Sequence, residues 1–294
     1  MFVSKKLSLS FCAVSLALSS SVVQGIEITS TDDASVLSDT LIIPNSGVTV
    51  TSAVLSGGMN DVGLSAQAGT YTNHSGTYGL PSAGGVVFST GDVNNYEDGP
   101  NNSPGDGDGE SAGNGSDNGN ELECPSCFEP QGGQQVLVNS GTNTSVPTNT
   151  LDNDGAFGNN PATDEQNALL TQITGQEEHF DPIELSITFD VDDSVSVISF
   201  VGAFGSEEFP DWVNTEFVDG FGMFLNGVNL ARAEVSDGST DGAPALININ
   251  HPDFAPVEGT ELNGMLAPNG IPILQFDIPV EPGSTGNTFT LLLA

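Results

Sequence analysis

The sequence predicts an all-β protein: an antiparallel β-sandwich or jelly-roll-like body with a long acidic, Gly/Asn-rich loop and at most one or two short helices. Three observations lead there. Short runs rich in β-branched residues recur between Gly, Asn and Pro, the punctuation of strands and turns. The chain of 294 residues holds 36 Gly and 17 Pro, which serve as turn chemistry. Apolar residues at helical spacing are scarce, whereas strict alternation is plain in the C-terminal half.

Taken in order, residues 1–25 have the layout of a secretory signal, with Lys5 and Lys6, an apolar stretch at 7–18, and small or polar residues up to Gly25. The apolar stretch is shorter than the roughly 20 residues that cross a bilayer. The expectation is therefore an exported protein, secreted or at the cell surface, with no direct membrane insertion and one mature domain at 26–294. Thr31, Asp32 and Asp33 ahead of Ala34, Val36, Leu37 and Leu41 predict one short capped helix. Residues 47–55 (GVTVTSAVL) and 85–89 (GVVFS) predict strands. Within 94–163 the run at 98–123 is nearly free of apolar side chains and a Gly/Asn/Asp-rich run resumes after QVLV at 135–138, so the stretch reads as an excursion from the sheet with one strand at 135–138.

Beyond residue 163 the pattern sharpens. Ile183, Leu185, Ile187 and Phe189 alternate with Glu184, Ser186, Thr188 and Asp190, a strand with one wet face. Residues 192–194 turn the chain into 195–204, where both alternating sets are apolar, which predicts a central strand covered on both faces. Asn226-Gly227 between 222–225 and 228–231 predicts a two-residue hairpin, because both turn positions need positive φ. Residues 245–249, 273–280 and 288–293 complete the strands. The apolar close at Leu293-Ala294 predicts that the chain is a fragment ending early, inside a buried strand.

Charge excludes whole classes of partner. Three basic residues face 39 Asp and Glu, a formal charge of −36. Without residues 1–25, which contain no acid, Arg232 alone faces the 39 acids and the charge is −38. One cation cannot neutralise a phosphate backbone or an anionic bilayer surface, so no nucleic-acid partner is expected. Asn73-His-Ser75, Asn101-Asn-Ser103, Asn114-Gly-Ser116 and Asn143-Thr-Ser145 match the N-glycosylation acceptor.

Cys12 lies in the signal, leaving Cys124 and Cys127 as a lone C-P-S-C between Gly, Asn and Pro. With His74, His179 and His251 standing singly, the pattern lacks a zinc framework, and a local disulfide is expected in an oxidising compartment. The densest unusual segment is 204–212 (FGSEEFPDW). Glu207 and Glu208, as neighbours on extended chain, point to opposite faces and cannot flank one scissile glycosidic bond as acid and base. No catalytic residue is assigned, and the expectation is a protein that is not an enzyme. Two readings of the segment stay open: a loop capping the sandwich by hydrogen bonds, or Ca²⁺ ligation by Glu207, Glu208, Asp211 and Asp219. Asp106 and Asp108 form a second oxygen-rich loop, a candidate Ca²⁺ site or a solvated acidic stretch. Trp212 is a candidate ligand contact.

In series, GVVFSTG at 85–91, DGPN at 98–101, SF at 199–200 running into FGSEEFP at 204–210, and FVDGFGMFL at 217–225 resemble the choice-of-anchor L domain of exported bacterial proteins. The resemblance implies a signal peptide, a β-rich domain, and a variable C-terminal anchor preceded by a closing strand, which this chain does not reach. It also implies surface attachment or adhesion, with an adhesive or structural role at a cell-surface, matrix or glycan partner. Val218 and Gly220 depart from the family pattern, which usually has Asn and a larger apolar residue there. The competing expectation is a secreted carbohydrate-binding or carbohydrate-cleaving protein using Trp212, Glu207 and Glu208.

Overall fold

The computed structural model describes residues 25–57, 67–74, 76–81, 83–90, 93, 134–136 (backbone), 161–206, 209–210, 212–215, 218–236, 243–256 and 264–294. Sixteen strands and two helices are placed among them. In chain order they are β1 (Ile26–Ser30), α1 (Ala34–Leu41), β2 (Val48–Ser56), β3 (Ala68–Asn73), β4 (Gly85–Ser89), β5 (Gln134–Val136), α2 (Asp164–Thr174), β6 (Ile183–Val191) and β7 (Val197–Gly202). There follow β8 (Phe204–Ser206), β9 (Gly220–Leu225), β10 (Val228–Asn229), β11 (Arg232–Ala233), β12 (Ala245–Asn248), β13 (Phe254–Pro256), β14 (Gly264–Leu266), β15 (Leu274–Pro279) and β16 (Asn287–Leu293).

Local chemistry sets several of these boundaries. Asp33 Oδ1 accepts the N–H groups of Ser35 and Val36, starting α1 with the expected cap. Thr163 and Gln166 cap each other's backbone at the start of α2, and Gly175, at φ 79°, ends it. Asn226 and Gly227 take φ of 49° and 82°, and β9 folds back on β10 as the hairpin rule requires.

All pairings are antiparallel. The first sheet runs β1-β3-β4-β5-β8-β14-β13, and the second β11-β12-β9-β16-β6-β2 with β10 beside β9. β7 and β15 form a separate two-stranded sheet. Ile183, Leu185, Ile187, Phe189 and Val191 of β6 meet Val86, Val87, Phe88 and Phe204 of the first sheet in one core, while Glu184, Ser186, Thr188 and Asp190 stay half-exposed. Phe204 and Phe221 stack across the layers at 6.5 Å, and Phe200 lies on Phe289 at 4.6 Å. Burying a side chain of this size stabilises the fold by ~1.5–3 kcal/mol.

A second, smaller core covers the other face of the second sheet. Leu170 and Ile173 of α2 pack on Phe224, Leu292 and Ala294. Gly220 and Gly222 make this close approach possible: a Cβ at Gly222 would meet Ile173 Cδ1 at 2.7 Å, and one at Gly220 would meet Ile173 Cγ2 at 2.9 Å. This is the physical reason for glycine at 220, where the resembled family favours a larger residue.

The central strand expected at 195–204 is corrected. The segment is two strands, β7 and β8, parted at Ala203. Among the described residues β7 pairs only with β15, and Val197 and Val201 are 49% and 41% exposed. Ile198 and Phe200 face the core, whereas Val197 and Val201, on either side of them, face outward without being covered. The strand expected at 135–138 lies at 134–136, joining β4 to β8.

Candidate functional site

The β8–β9 loop crosses from one layer of the sandwich to the other. Ser206 ends β8 fully buried, opposite Gly264, and Asp219 precedes β9. The Ser206 hydroxyl donates to Asp219 Oδ2 at 3.0 Å, tying the loop's two ends together, and the Asp219 carbonyl accepts Ile249 N–H at 2.9 Å. Between them Phe209 packs on Phe254 at 5.2 Å, and the Phe209–Pro210 bond is cis. A Cβ on Gly264 would strike the Phe209 ring at 2.5 Å, so glycine in β14 is what lets that ring lie on the strand.

Trp212 is half-buried in the turn that follows. Its carbonyl accepts the N–H of Thr215 at 3.2 Å and the Thr215 hydroxyl at 2.8 Å, while Asn214, at φ 64°, donates its N–H to Asn250 Oδ1. Among the described residues of the loop, these contacts brace a turn or join the two layers. Of the expected cation ligands only Asp219 lies within the described residues; Glu207, Glu208, Asp211, Asp106 and Asp108 fall outside them, as do Cys124 and Cys127. Among the described residues no three His, Cys, Asp or Glu side chains cluster as a metal site.

His251 and His179 are built into the scaffold. His251 Nδ1 accepts the N–H of Asp253 at 3.1 Å, so the ring proton sits on Nε2 and points to the Ala233 carbonyl at 3.4 Å. Asn167 donates its amide to the Ala162 carbonyl, which leaves its Oδ1 facing His179 Nδ1 at 2.8 Å; that nitrogen must donate. The other ring nitrogen of His179 lies 2.7 Å from Thr174 Oγ1. Burial holds both rings below the ordinary histidine pKa of 6.5, although for His251 the Ala233 carbonyl and the Asp253 charge pull the other way. His74 is exposed, 3.8 Å from Glu27.

Two polar brackets carry no sequence signature beyond their residue types. Asp253 Oδ2 accepts both the N–H and the hydroxyl of Ser236 at 2.8 Å, and Ser236 Oγ in turn accepts Asn269 N–H. Asn73, fully buried, donates to the carbonyls of Thr77 and Leu80 and accepts Thr77 N–H. Its amide nitrogen is committed to the turn, so this glycosylation motif is closed in the folded state. A cavity of about 30 Å³ lies within the core between Leu41, Phe200, Phe204, Phe221, Met223 and Phe276. Apolar walls of this kind give a water molecule no hydrogen-bond partner. No protein family, curated protein or solved structure matches the chain, and the resemblance to the choice-of-anchor L domain rests on its motifs alone.

Proposed function

We propose that this chain is an exported β-sandwich module that works through its outer surface, as an adhesive or structural element of the cell surface or extracellular matrix, and that divalent cations such as Ca²⁺ relieve its acidic coat. The observation that supports this best is where its polar chemistry is committed. The buried Gln67, Asn73, Gln166, His179, Ser206 and His251 each brace a loop, a helix end or a strand connection. Function is then left to the surface, which carries the acid excess. A secretory-type N-terminus and the serial motifs at 85–91, 204–210 and 217–225 support the same placement. The test is deletion of the gene with complementation by the full chain, scored for cell attachment and for matrix mass. Reduced attachment or matrix, restored on complementation, is expected; unchanged values in both assays overturn the proposal.

A further inference from the structure

Asp181–Pro182 is the single Asp-Pro bond in the chain, and it lies in the connection that leads from α2 into β6. His179, Asp181, Pro182 and Ile183 are all buried there, and among them Phe180 alone is exposed. Asp181 holds φ at 49°, in the left-handed region that a residue with a side chain keeps only where its surroundings fix it.

Gln67 is central to those surroundings. It is 3% exposed, immediately ahead of β3, and its own carbonyl accepts Ser89 N–H at 2.9 Å, which fixes it against β4. Its side-chain Nε2 donates to the Asp181 carbonyl at 2.8 Å and lies 3.5 Å from the Thr90 carbonyl. Gly57, just after β2, comes so close that a Cβ there would meet the Pro182 carbonyl at 2.6 Å and Gln67 Oε1 at 3.0 Å. A buried amide donor is thus aimed at the carbonyl oxygen of the Asp-Pro bond, and tight packing keeps it there.

We propose that this chain cuts itself once, between Asp181 and Pro182, with the Asp181 carboxyl as nucleophile and the Gln67 amide as oxyanion donor. The carboxyl oxygen attacks the main-chain carbonyl carbon of its own residue. This closes a five-membered ring, so the nucleophile is brought within reach by its own short side chain. Negative charge gathers on the carbonyl oxygen, where Gln67 Nε2 already donates. The C–N bond then breaks, the Pro182 nitrogen takes the proton that the carboxyl carried, and Asp181 is left as a cyclic anhydride. Water opens the anhydride to a C-terminal aspartate with both carboxyls free. One water is consumed for the one bond cut, and nothing is oxidised or reduced. Proline has no backbone N–H, so its departure as a secondary amine breaks no hydrogen bond of the sheet.

The cut leaves the fold standing. The half before it holds β1 to β5 and both helices, and the half after it holds β6 to β16. The halves stay locked together because β2 pairs with β6 along its length, β5 pairs with β8, and α2 packs on Phe224 and Leu292. Burial also sets this bond apart from a site of ordinary proteolysis, for which the chain must first open to reach an outside enzyme. The internal carboxyl needs no such opening.

Mass spectrometry of the purified full chain, incubated folded and in urea at the same pH, tests this. Fragments ending at Asp181 and beginning at Pro182 are expected, formed on the order of a hundredfold faster in the folded chain, because urea removes the Gln67 donor and leaves the Asp-Pro bond itself unchanged. The rate constant should not change on dilution, whereas a protease carried along with the protein would slow. Asp181→Gly keeps the positive φ without the carboxyl and should stop the cut. Gln67→Met removes the donor and should slow it roughly a hundredfold. Should Gln67→Met unfold, the comparison with urea and the Asp181→Gly variant carry the test. A folded chain that is cut no faster than the chain in urea overturns the proposal. So does a cut that persists in Asp181→Gly, one that slows on dilution, or a folded Gln67→Met chain cut at the full rate.

Discussion

Folding lowers the proton affinity of His251 and His179. Both are held below 6.5 by burial, so between 6.5 and their lowered folded values the unfolded chain binds more protons than the folded one. Their contribution is complete above about pH 6.5 and is lost as the pH falls below it, in a range where carboxylates remain ionised. The urea midpoint should fall between pH 7.5 and 5.5, and His251→Gln should flatten that slope while lowering the midpoint at pH 7.5. An unchanged slope in the variant would remove His251 as a cause. Asn73 offers a second prediction. Asn73→Ala removes the acceptor of Thr77 N–H and the donor to the Thr77 and Leu80 carbonyls, at a cost of ~1–3 kcal/mol. Chemical denaturation of the variant measures this loss; an unchanged midpoint would mean that the bracket does not hold the turn.

Among the elements, α2 shows how packing overrides a weak local signal. Its sequence carries the Thr163–Gln166 capping box, yet only Leu169, Leu170 and Ile173 stand out as large apolar residues among polar neighbours, too few to mark a helix face. What seats the helix is the floor formed by Gly220 and Gly222 on β9, more than 45 residues away in the chain. Leu170→Ala should cost ~2–5 kcal/mol by the cavity it leaves, against about 1 kcal/mol for Thr163→Ala at the cap. Gly222→Ala should cost ~1–3 kcal/mol by overpacking, because Ile173 Cδ1 and the Phe224 ring already occupy the space. Chemical denaturation of the three variants measures this order; a Thr163→Ala loss larger than that of Leu170→Ala would mean that the cap, and not the packing, holds the helix. The segment at 195–204 errs in the opposite sense. Its two apolar faces suggested a covered strand, but hydrophobicity does not count neighbours, and Val197 and Val201 end up exposed beside β15.

For the whole molecule the governing quantity is charge. With one cation against 39 acids after residue 25, the folded body repels itself, and screening should stabilise it. The melting midpoint should rise with NaCl, and CaCl₂ at matched ionic strength should raise it further if the acidic loops hold calcium. Equal shifts with the two salts would dismiss calcium from the proposed function while leaving the sandwich and its surface role standing.

Local rules were enough wherever a turn, a cap or an alternation is written within a few residues. Asp33 announced α1, Asn226-Gly227 announced a hairpin, and the alternation of 183–190 announced a strand with one wet face. The sequence by itself therefore determined the all-β class, most strands of the C-terminal half, and the net charge. Only the tertiary structure decided which strands are edges, that Asn73 is shut inside a turn, and that Ser206 reaches Asp219. These depend on pairings and contacts between residues far apart in the chain. A pattern of period two records which way side chains point, and carries no record of what they meet.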